Sequence, residues 1–163
     1  MYTYGQVERA LCQLHGIPPE QASGKLRSRL KHFSRIGLTP SKPGRGQKLS
    51  YTPHDAVRWA LCFEFAQLAV PPEVTKQILA VYGFPLFESF AGPTPKEDQV
   101  FWCLGNFFED ALTGGRSRKL GIVPMSEIIN VVFKKAEAAR VIMVNLTRIK
   151  RGLGKALDID WEH

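Results

Sequence analysis

Apolar residues in the first 37 positions repeat at the spacing of an α-helix. Residues 6–14 carry apolar side chains three and four positions apart, and Gly16 follows them as a helix stop. The prolines at 18–19 are suited to begin a second helix, which keeps one apolar face as far as Gly37. Its other positions are mostly Lys, Arg, Ser and His. The pattern therefore predicts two short helices, the second with one buried face and one cationic face.

Glycine and proline then separate these helices from two more. Residues 38–51 have Gly and Pro in the middle and short extended segments on either side, which predicts a β-hairpin with a basic tip. Thr52 and Pro53 suit the cap and the first position of a third helix, which should reach about Ala69 and be largely enclosed. A fourth helix is expected at 70–83.

The second half of the chain mixes helices with short strands. Residues 84–96 contain three prolines and are predicted to be a linker or a wrapping segment. The elements expected after it are a helix from Lys96 to Ala111, a strand at 120–123, a helix from Ser126, a strand at 141–144 and a last helix capped by Thr147. The apolar run at 141–144 is also compatible with a helix. The predicted fold class is mostly α with a small β component, with an N-terminal domain at 1–83 and a compact C-terminal α+β domain at 97–163 for dimerisation or partner binding.

Length and composition fit one globular domain or two small ones. The chain has 163 residues, of which 44% are hydrophobic and 23% charged, so it can bury a core without a metal or a disulfide. Its longest apolar runs are five residues, far short of the roughly 20 that cross a bilayer. The N-terminus has no secretory signal pattern, so the expected location is the cytoplasm. The three cysteines are isolated and lack ligand spacing, so neither a zinc site nor a disulfide is expected.

The positive charge of the chain is concentrated in its first third. Residues 1–58 hold ten Lys or Arg and three Asp or Glu, whereas residues 59–163 hold twelve of each kind. No acidic residue lies between Glu20 and Asp55. A solubilising surface normally mixes both signs, so this distribution favours a surface that binds a polyanion. A solvated face is the simpler alternative, and a membrane-surface patch is disfavoured because the apolar residues of this stretch are needed in the core.

One segment of this basic stretch has a specific spacing. Residues 30–38, LKHFSRIGL, resemble the L-[RK]-x-[YF]-x-x-x-G-L core of MerR-type DNA-binding domains. The family's pattern continues at further positions: Pro40, Gly46, Tyr51, Asp55, the opening at 4–7 and the start of the fourth helix at 70–78. The resemblance covers residues 2 to about 82, half of the chain.

The resemblance implies a winged helix-turn-helix, whose basic helix would lie in a major groove of DNA while the hairpin contacts flanking phosphates or the minor groove. Three departures limit it. The stretch from Gly16 to Leu30 is longer than in the family, and Leu49 stands where an Arg is usual. The family's long dimerisation helix is absent, so dimeric, ligand-switched promoter activation is not implied.

Basic side chains carry the physical case for DNA. Arg and Lys on a helix that fits a groove can bind guanine O6 and N7, and those on a hairpin can neutralise phosphates. The candidate DNA-binding residues are Lys25, Arg27, Ser28, Lys31, His32 and Arg35 on the helix and Lys42, Arg45, Gln47 and Lys48 on the hairpin. A single half-site binds weakly, so a second copy of the domain or a protein partner is expected.

The predicted function is a sequence-specific DNA-binding transcriptional regulator of a bacterium or phage, associated with the nucleoid. Its expected partners are double-stranded DNA, a second copy of the chain, and RNA polymerase or another regulator. The alternative is an adaptor whose basic face binds an acidic protein. No catalytic residue, metal or cofactor is expected, because the four histidines are scattered and no Ser, Cys or carboxylate sits in a motif that would make one a general base. The Gly-Leu-Gly-Lys run at 152–155 lacks the glycine spacing and the Ser or Thr of a phosphate loop. An enzyme would need a pocket in the C-terminal half that the sequence does not disclose.

The aromatic residues between Phe84 and Phe108 are expected in the core, with a dimer or partner interface as the alternative.

Overall fold

A computed structural model describes residues 1–18, 24–39, 50–104, 120–134 and 141–161. The helices in these ranges are α1 (Tyr4–His15), α2 (Lys25–Arg35), α3 (Pro53–Gln67), α4 (Pro72–Glu88) and α5 (Leu146–Leu157). The strands are β1 (Gln99–Leu104), β2 (Leu120–Pro124) and β3 (Val141–Asn145), and two short helical segments, Met125–Glu127 and Ile129–Lys134, join β2 to the residues that precede β3. The predicted class, mostly helical with a small β component, is confirmed.

Local sequence signals set the ends of α1 and α3. The Thr3 hydroxyl accepts a hydrogen bond from the backbone N–H of Gln6, and the side-chain carbonyl oxygen of Gln6 accepts one from the backbone N–H of Thr3. This reciprocal pair is a capping box. Thr52 and Asp55 form the same arrangement at the start of α3. Gly16 ends α1 with a φ of 63°, a conformation that favours glycine. The predicted stop of α1 and the predicted cap of α3 are therefore confirmed.

Helix α4 extends past its predicted end. It continues beyond Gly83 and through Pro85, so the expectation of irregular structure is wrong for residues 84–88. Leu86 is fully buried in this last part of the helix. Burial of apolar surface there outweighs the poor helix propensity of glycine and proline.

Residues 99–104 form the central strand of the sheet, where the sequence predicted a helix. Strand β1 pairs antiparallel with β2 on one side and with β3 on the other. Its side chains alternate between the main core and a second apolar cluster, Phe101 and Cys103 on the first side and Val100 and Trp102 on the second. Because both faces are buried, the strand lacks the apolar and polar alternation that would distinguish it from a helix. The prediction at 96–111 is thus wrong for 99–104, and 105–111 lie outside the described residues.

The later elements follow the prediction more closely. Both predicted strands are present as β2 and β3. Helix α5 begins after Asn145, whose side chain accepts a hydrogen bond from the Arg148 amide, so the cap predicted at Thr147 is wrong. The Thr147 hydroxyl instead accepts a hydrogen bond from the Gln99 amide, which fastens α5 to β1.

Helices α1 and α5 pack against each other although they are far apart in the sequence. A Cβ atom at Gly152 would lie 2.5 Å from Leu14 Cδ1, so the glycine allows the two helices to approach. The main apolar cluster contains residues from Val7 to Leu157, on both sides of the predicted linker. The division into two domains stays a prediction. Residues of both predicted domains contribute to the main apolar cluster.

All three cysteines are buried. Among the described residues, no group of His, Cys, Asp and Glu side chains is suited to hold a metal ion. No helix of the described ranges has the length and apolar character needed to cross a membrane.

Candidate nucleic-acid interface

Helix α2 is held by one apolar face. Leu26, Leu30 and Phe33 recur at helical spacing and are 5%, 1% and 4% exposed. An isolated helix of eleven residues is marginal in water, so this burial is what keeps α2 folded. The opposite face is consequently fixed in space and free to meet a partner.

That opposite face carries four exposed residues in a line. Ser28, Lys31, His32 and Arg35 occupy positions i, i+3, i+4 and i+7, so they share one side of the helix, and we call them the cationic stripe. Within the described ranges no carboxylate pairs with Lys31 or Arg35. Residues 24–39 contain five Lys or Arg and no acid. Among the residues that the structure describes, no acidic side chain therefore compensates the positive charge of the stripe.

The hydrogen bonds of His32 and Ser28 determine which donors and acceptors the stripe presents to a ligand. An Arg35 guanidinium nitrogen lies 3.2 Å from His32 Nδ1, and because a guanidinium can donate but not accept, Nδ1 is the acceptor. The proton of a neutral His32 is then on Nε2, which presents a donor. The Ser28 hydroxyl donates to the Gly24 carbonyl at 2.9 Å and keeps its acceptor lone pairs.

Arg27 has a different environment from the stripe. Its Nε and Nη2 donate to the two carboxylate oxygens of Glu8 at 2.7 and 3.1 Å. Glu8 is 6% exposed and lies on α1, so this two-point contact joins α2 to α1. The hydrogen bond and the attraction to Glu8 raise the pKa of Arg27. Arg27 thus positions α2, and its side chain is still 54% exposed at the edge of the cationic face.

The residues that flank 40–49 are firmly placed. Leu38 is buried, and its carbonyl accepts a hydrogen bond from Arg58 Nε at 2.6 Å. On the other side Tyr51 is buried and pairs with Tyr2, with backbone hydrogen bonds of 2.7 and 2.8 Å. The wing candidates Lys42, Arg45, Gln47 and Lys48 lie outside the described residues, as does the side chain of Lys25.

A groove runs beside the stripe, between α2 and the turn from α3 to α4. Its volume is about 840 Å³, and its α2 wall includes Ser28, Arg29 and His32. Arg29 is exposed and was not among the candidate residues. Helical geometry places Arg29 at the flank of α2. Its positive charge was the one feature of the sequence that could have placed it among the candidate DNA-binding residues. The facing wall is apolar, with Val70 and Pro71 among its residues.

A titratable pair lies on the far side of α2. The His15 side chain is 6% exposed, with Nδ1 3.4 Å from a Glu64 carboxylate oxygen and 3.2 Å from the Gln67 amide nitrogen. Burial, with a smaller contribution from Arg148, lowers the pKa of His15. Burial raises the pKa of Glu64, although Arg148 opposes this. Both shifts favour neutral side chains, so the pair is suited to packing behind α2.

Comparisons with models of known protein families and with curated proteins find no match to this chain.

Proposed function

We propose that this protein is a sequence-specific DNA-binding transcriptional regulator that inserts α2 into the major groove. The observation that carries the proposal is the cationic stripe, which combines two exposed cations, neither paired with a carboxylate of the described residues, with a histidine donor and a serine acceptor on one helix face. A face of this composition matches the negative potential and the polar base edges of a duplex.

The dimensions of α2 suit this role. At about 1.5 Å per residue its eleven residues extend about 16 Å, and the major groove is about 12 Å wide. Lys31 and Arg35 can bind guanine O6 and N7, and His32 Nε2 can donate to the same acceptors. The flanking Arg27 and Arg29 are placed to contact phosphates, which fix the register of the helix without reading sequence.

The hairpin predicted at 38–51 completes the interface in this proposal. Its two ends are held beside α2 and beside the N-terminus, through Leu38 and Tyr51. Lys42, Arg45 and Lys48 would then neutralise phosphates, with Gln47 as a hydrogen-bonding partner. This arrangement would be a winged helix-turn-helix, as the resemblance to MerR-type domains implies.

The proposal is tested with the full chain. A preferred sequence is first selected from a random duplex library, and its affinity is then measured by fluorescence anisotropy across a salt series. We expect the double variant Lys31→Ala/Arg35→Ala to bind the selected duplex at least about tenfold more weakly, and to discriminate less between that duplex and one whose guanines are replaced.

The matched control removes two exposed lysines elsewhere, Lys96→Ala/Lys155→Ala, and should leave affinity nearly unchanged. Equal affinity of the wild-type protein and the stripe variant would refute the proposal. So would a control that weakens binding as much as the stripe variant, because the effect would then be net charge alone. Binding to an acidic protein without competition from duplex DNA would favour the adaptor instead.

A further inference from the structure

An open cavity lies where the ends of three helices meet. It is bordered by the first turn of α3, by the last turn of α4 with the residues after it, and by the residues that follow α5. Its volume is about 490 Å³, which is within the range of sites that bind small molecules. Its lining includes the aromatic rings of His54, Phe87, Phe90 and Trp161, and we call it the aromatic cavity. None of the described residues that line it belongs to the cationic stripe.

The four rings form two pairs. The ring centres of His54 and Phe87 are 3.7 Å apart, and those of Phe90 and Trp161 are 6.0 Å apart. Burial lowers the pKa of His54, so its ring is uncharged at neutral pH. Because the face of an aromatic ring carries partial negative charge, walls of this kind attract cations.

Acidic groups outnumber basic ones around these rings. Among the described lining residues, Asp160 is the one that is charged at neutral pH, and it is exposed. Asp55, Glu88 and Asp158 are each next to a lining residue in the chain. Helices α4 and α5 both end at the cavity, and the carbonyls of a helix C-terminus add partial negative charge. The N-terminus of α3 has the opposite sign, but the Asp55 carboxylate caps it.

Two basic side chains limit this preference for a cation. Arg58 lies on α3 and donates a hydrogen bond to a backbone carbonyl that follows α2. The Lys150 ammonium lies 5.8 Å from the centre of the Trp161 ring and donates to the carbonyls of residues 91–93. A second cation near Lys150 therefore needs a carboxylate partner, and Asp160, the neighbour of Trp161 in the chain, can supply one.

We propose that the aromatic cavity binds a small alkylammonium cation. The alkyl groups of the ligand pack against Phe87, Phe90 and Trp161, and Asp160 pairs with its charge. One charge and a few apolar contacts carry the affinity, so the dissociation constant is of the order of a millimolar. This site goes beyond the proposed DNA binding and does not depend on it.

Titration of the isotope-labelled full chain without DNA, followed by NMR of its backbone amides, tests the proposal. Choline is the probe, and its control is the uncharged isostere dimethylbutanol, in which carbon replaces the nitrogen. Choline should shift the amide signals of residues 87–92 and 159–161. The alcohol has the same shape but no charge, so it should bind at least about tenfold more weakly.

Two kinds of molecule carry an alkylammonium group, a free small molecule and a lysine side chain of another protein. Titration with N-acetyl-lysine methylamide separates them. Tighter binding than that of choline indicates a lysine side chain, and weaker binding indicates a small molecule.

Variants separate the carboxylate from the rings. Asp160→Asn should weaken choline binding by about threefold or more, and because Asp160 is exposed the variant should fold normally. The matched control Glu127→Gln removes an exposed carboxylate elsewhere and should leave the affinity unchanged. Phe87→Leu keeps an apolar side chain without the ring and should weaken binding several-fold.

Equal affinity for choline and the alcohol would overturn the proposal, because the cavity would then be merely apolar. Unchanged affinity of Asp160→Asn would also overturn it, and so would choline-induced shifts that centre on the cationic stripe. Because DNA is absent, none of these results bears on the proposed DNA binding, which has its own measurement.

Discussion

Lys150 is a buried cation whose replacement gives a sharp test of the fold. It is 1% exposed on α5, and its Nζ donates to three backbone carbonyls, of Ala91 at 3.3 Å, Gly92 at 2.7 Å and Pro93 at 3.2 Å. The ammonium also lies 5.8 Å from the centre of the Trp161 ring. Lys150 therefore ties the segment after α4 to α5.

Lys150→Met keeps the methylenes and removes the charge. A hydrogen bond to a charged group contributes about 1.5–3 kcal/mol, but loss of the ammonium also removes its desolvation cost of several kcal/mol. The remaining penalty is that of carbonyls left without a donor, about 1–3 kcal/mol each where water cannot reach them. One short and two longer hydrogen bonds give an expected loss of about 2–4 kcal/mol in the free energy of unfolding. At this chain length the melting temperature should fall by about 5–15 °C.

Urea unfolding followed by circular dichroism measures this loss. Lys155→Met is the matched control, because Lys155 is an exposed lysine on the same helix. The control should change the free energy of unfolding by less than about 1 kcal/mol. If the free energy of unfolding of Lys150→Met stays within about 0.5 kcal/mol of the wild-type value, the three carbonyls do not depend on the ammonium, and the stabilising role given to Lys150 is refuted.

The surroundings of α2 give three further expectations. Burial lowers the pKa of His15 below its usual 6.5, so protons bind the unfolded chain more readily and the free energy of unfolding should fall as the pH drops below about 6.5. Urea titrations of His15→Gln should show a smaller fall, and an identical pH dependence would contradict this. Gly37 has a φ of 75° and free space around it, so Gly37→Ala should lower the free energy of unfolding by about 1 kcal/mol through backbone strain alone. An unchanged melting temperature in thermal unfolding would exclude that strain. Arg27→Ala should lower the urea midpoint because it leaves the buried Glu8 unpaired, whereas Lys31→Ala should not, and equal midpoints for the two variants would argue against a positioning role.

Features that depend on neighbouring residues could be predicted from the sequence. The cap of α3 needs Thr52 and Asp55 three positions apart, and the stop of α1 needs a glycine after the last turn. The cationic stripe follows from helical spacing alone, because the buried positions of α2 determine the side on which Lys31 and Arg35 lie.

Features that depend on distant parts of the chain could not be predicted in this way. Residues about 30 positions later in the chain cover the second face of strand β1. Because both faces of the strand are then apolar, its sequence lacks the alternation of apolar and polar residues that would identify it as a strand. Thr147 is a plausible helix cap until Gln99 supplies a donor from another element. The pairing of Arg27 with Glu8 joins residues 19 positions apart, so the sequence alone placed Arg27 among the candidates for DNA contact.

Stability and the proposed recognition are separable on α2. The apolar face and the contact between Arg27 and Glu8 hold the helix, whereas Lys31 and Arg35 of the cationic stripe are exposed. A helix of this length would not form by itself, so the core supplies the order of the stripe before any ligand is present. Because the backbone of α2 is ordered before binding, only the exposed side chains of the stripe lose conformational freedom when a rigid duplex binds, which improves affinity. Changes at Lys31 and Arg35 should therefore alter binding without altering folding, whereas changes at the buried Leu30 should impair folding and, through loss of the helix surface, binding as well.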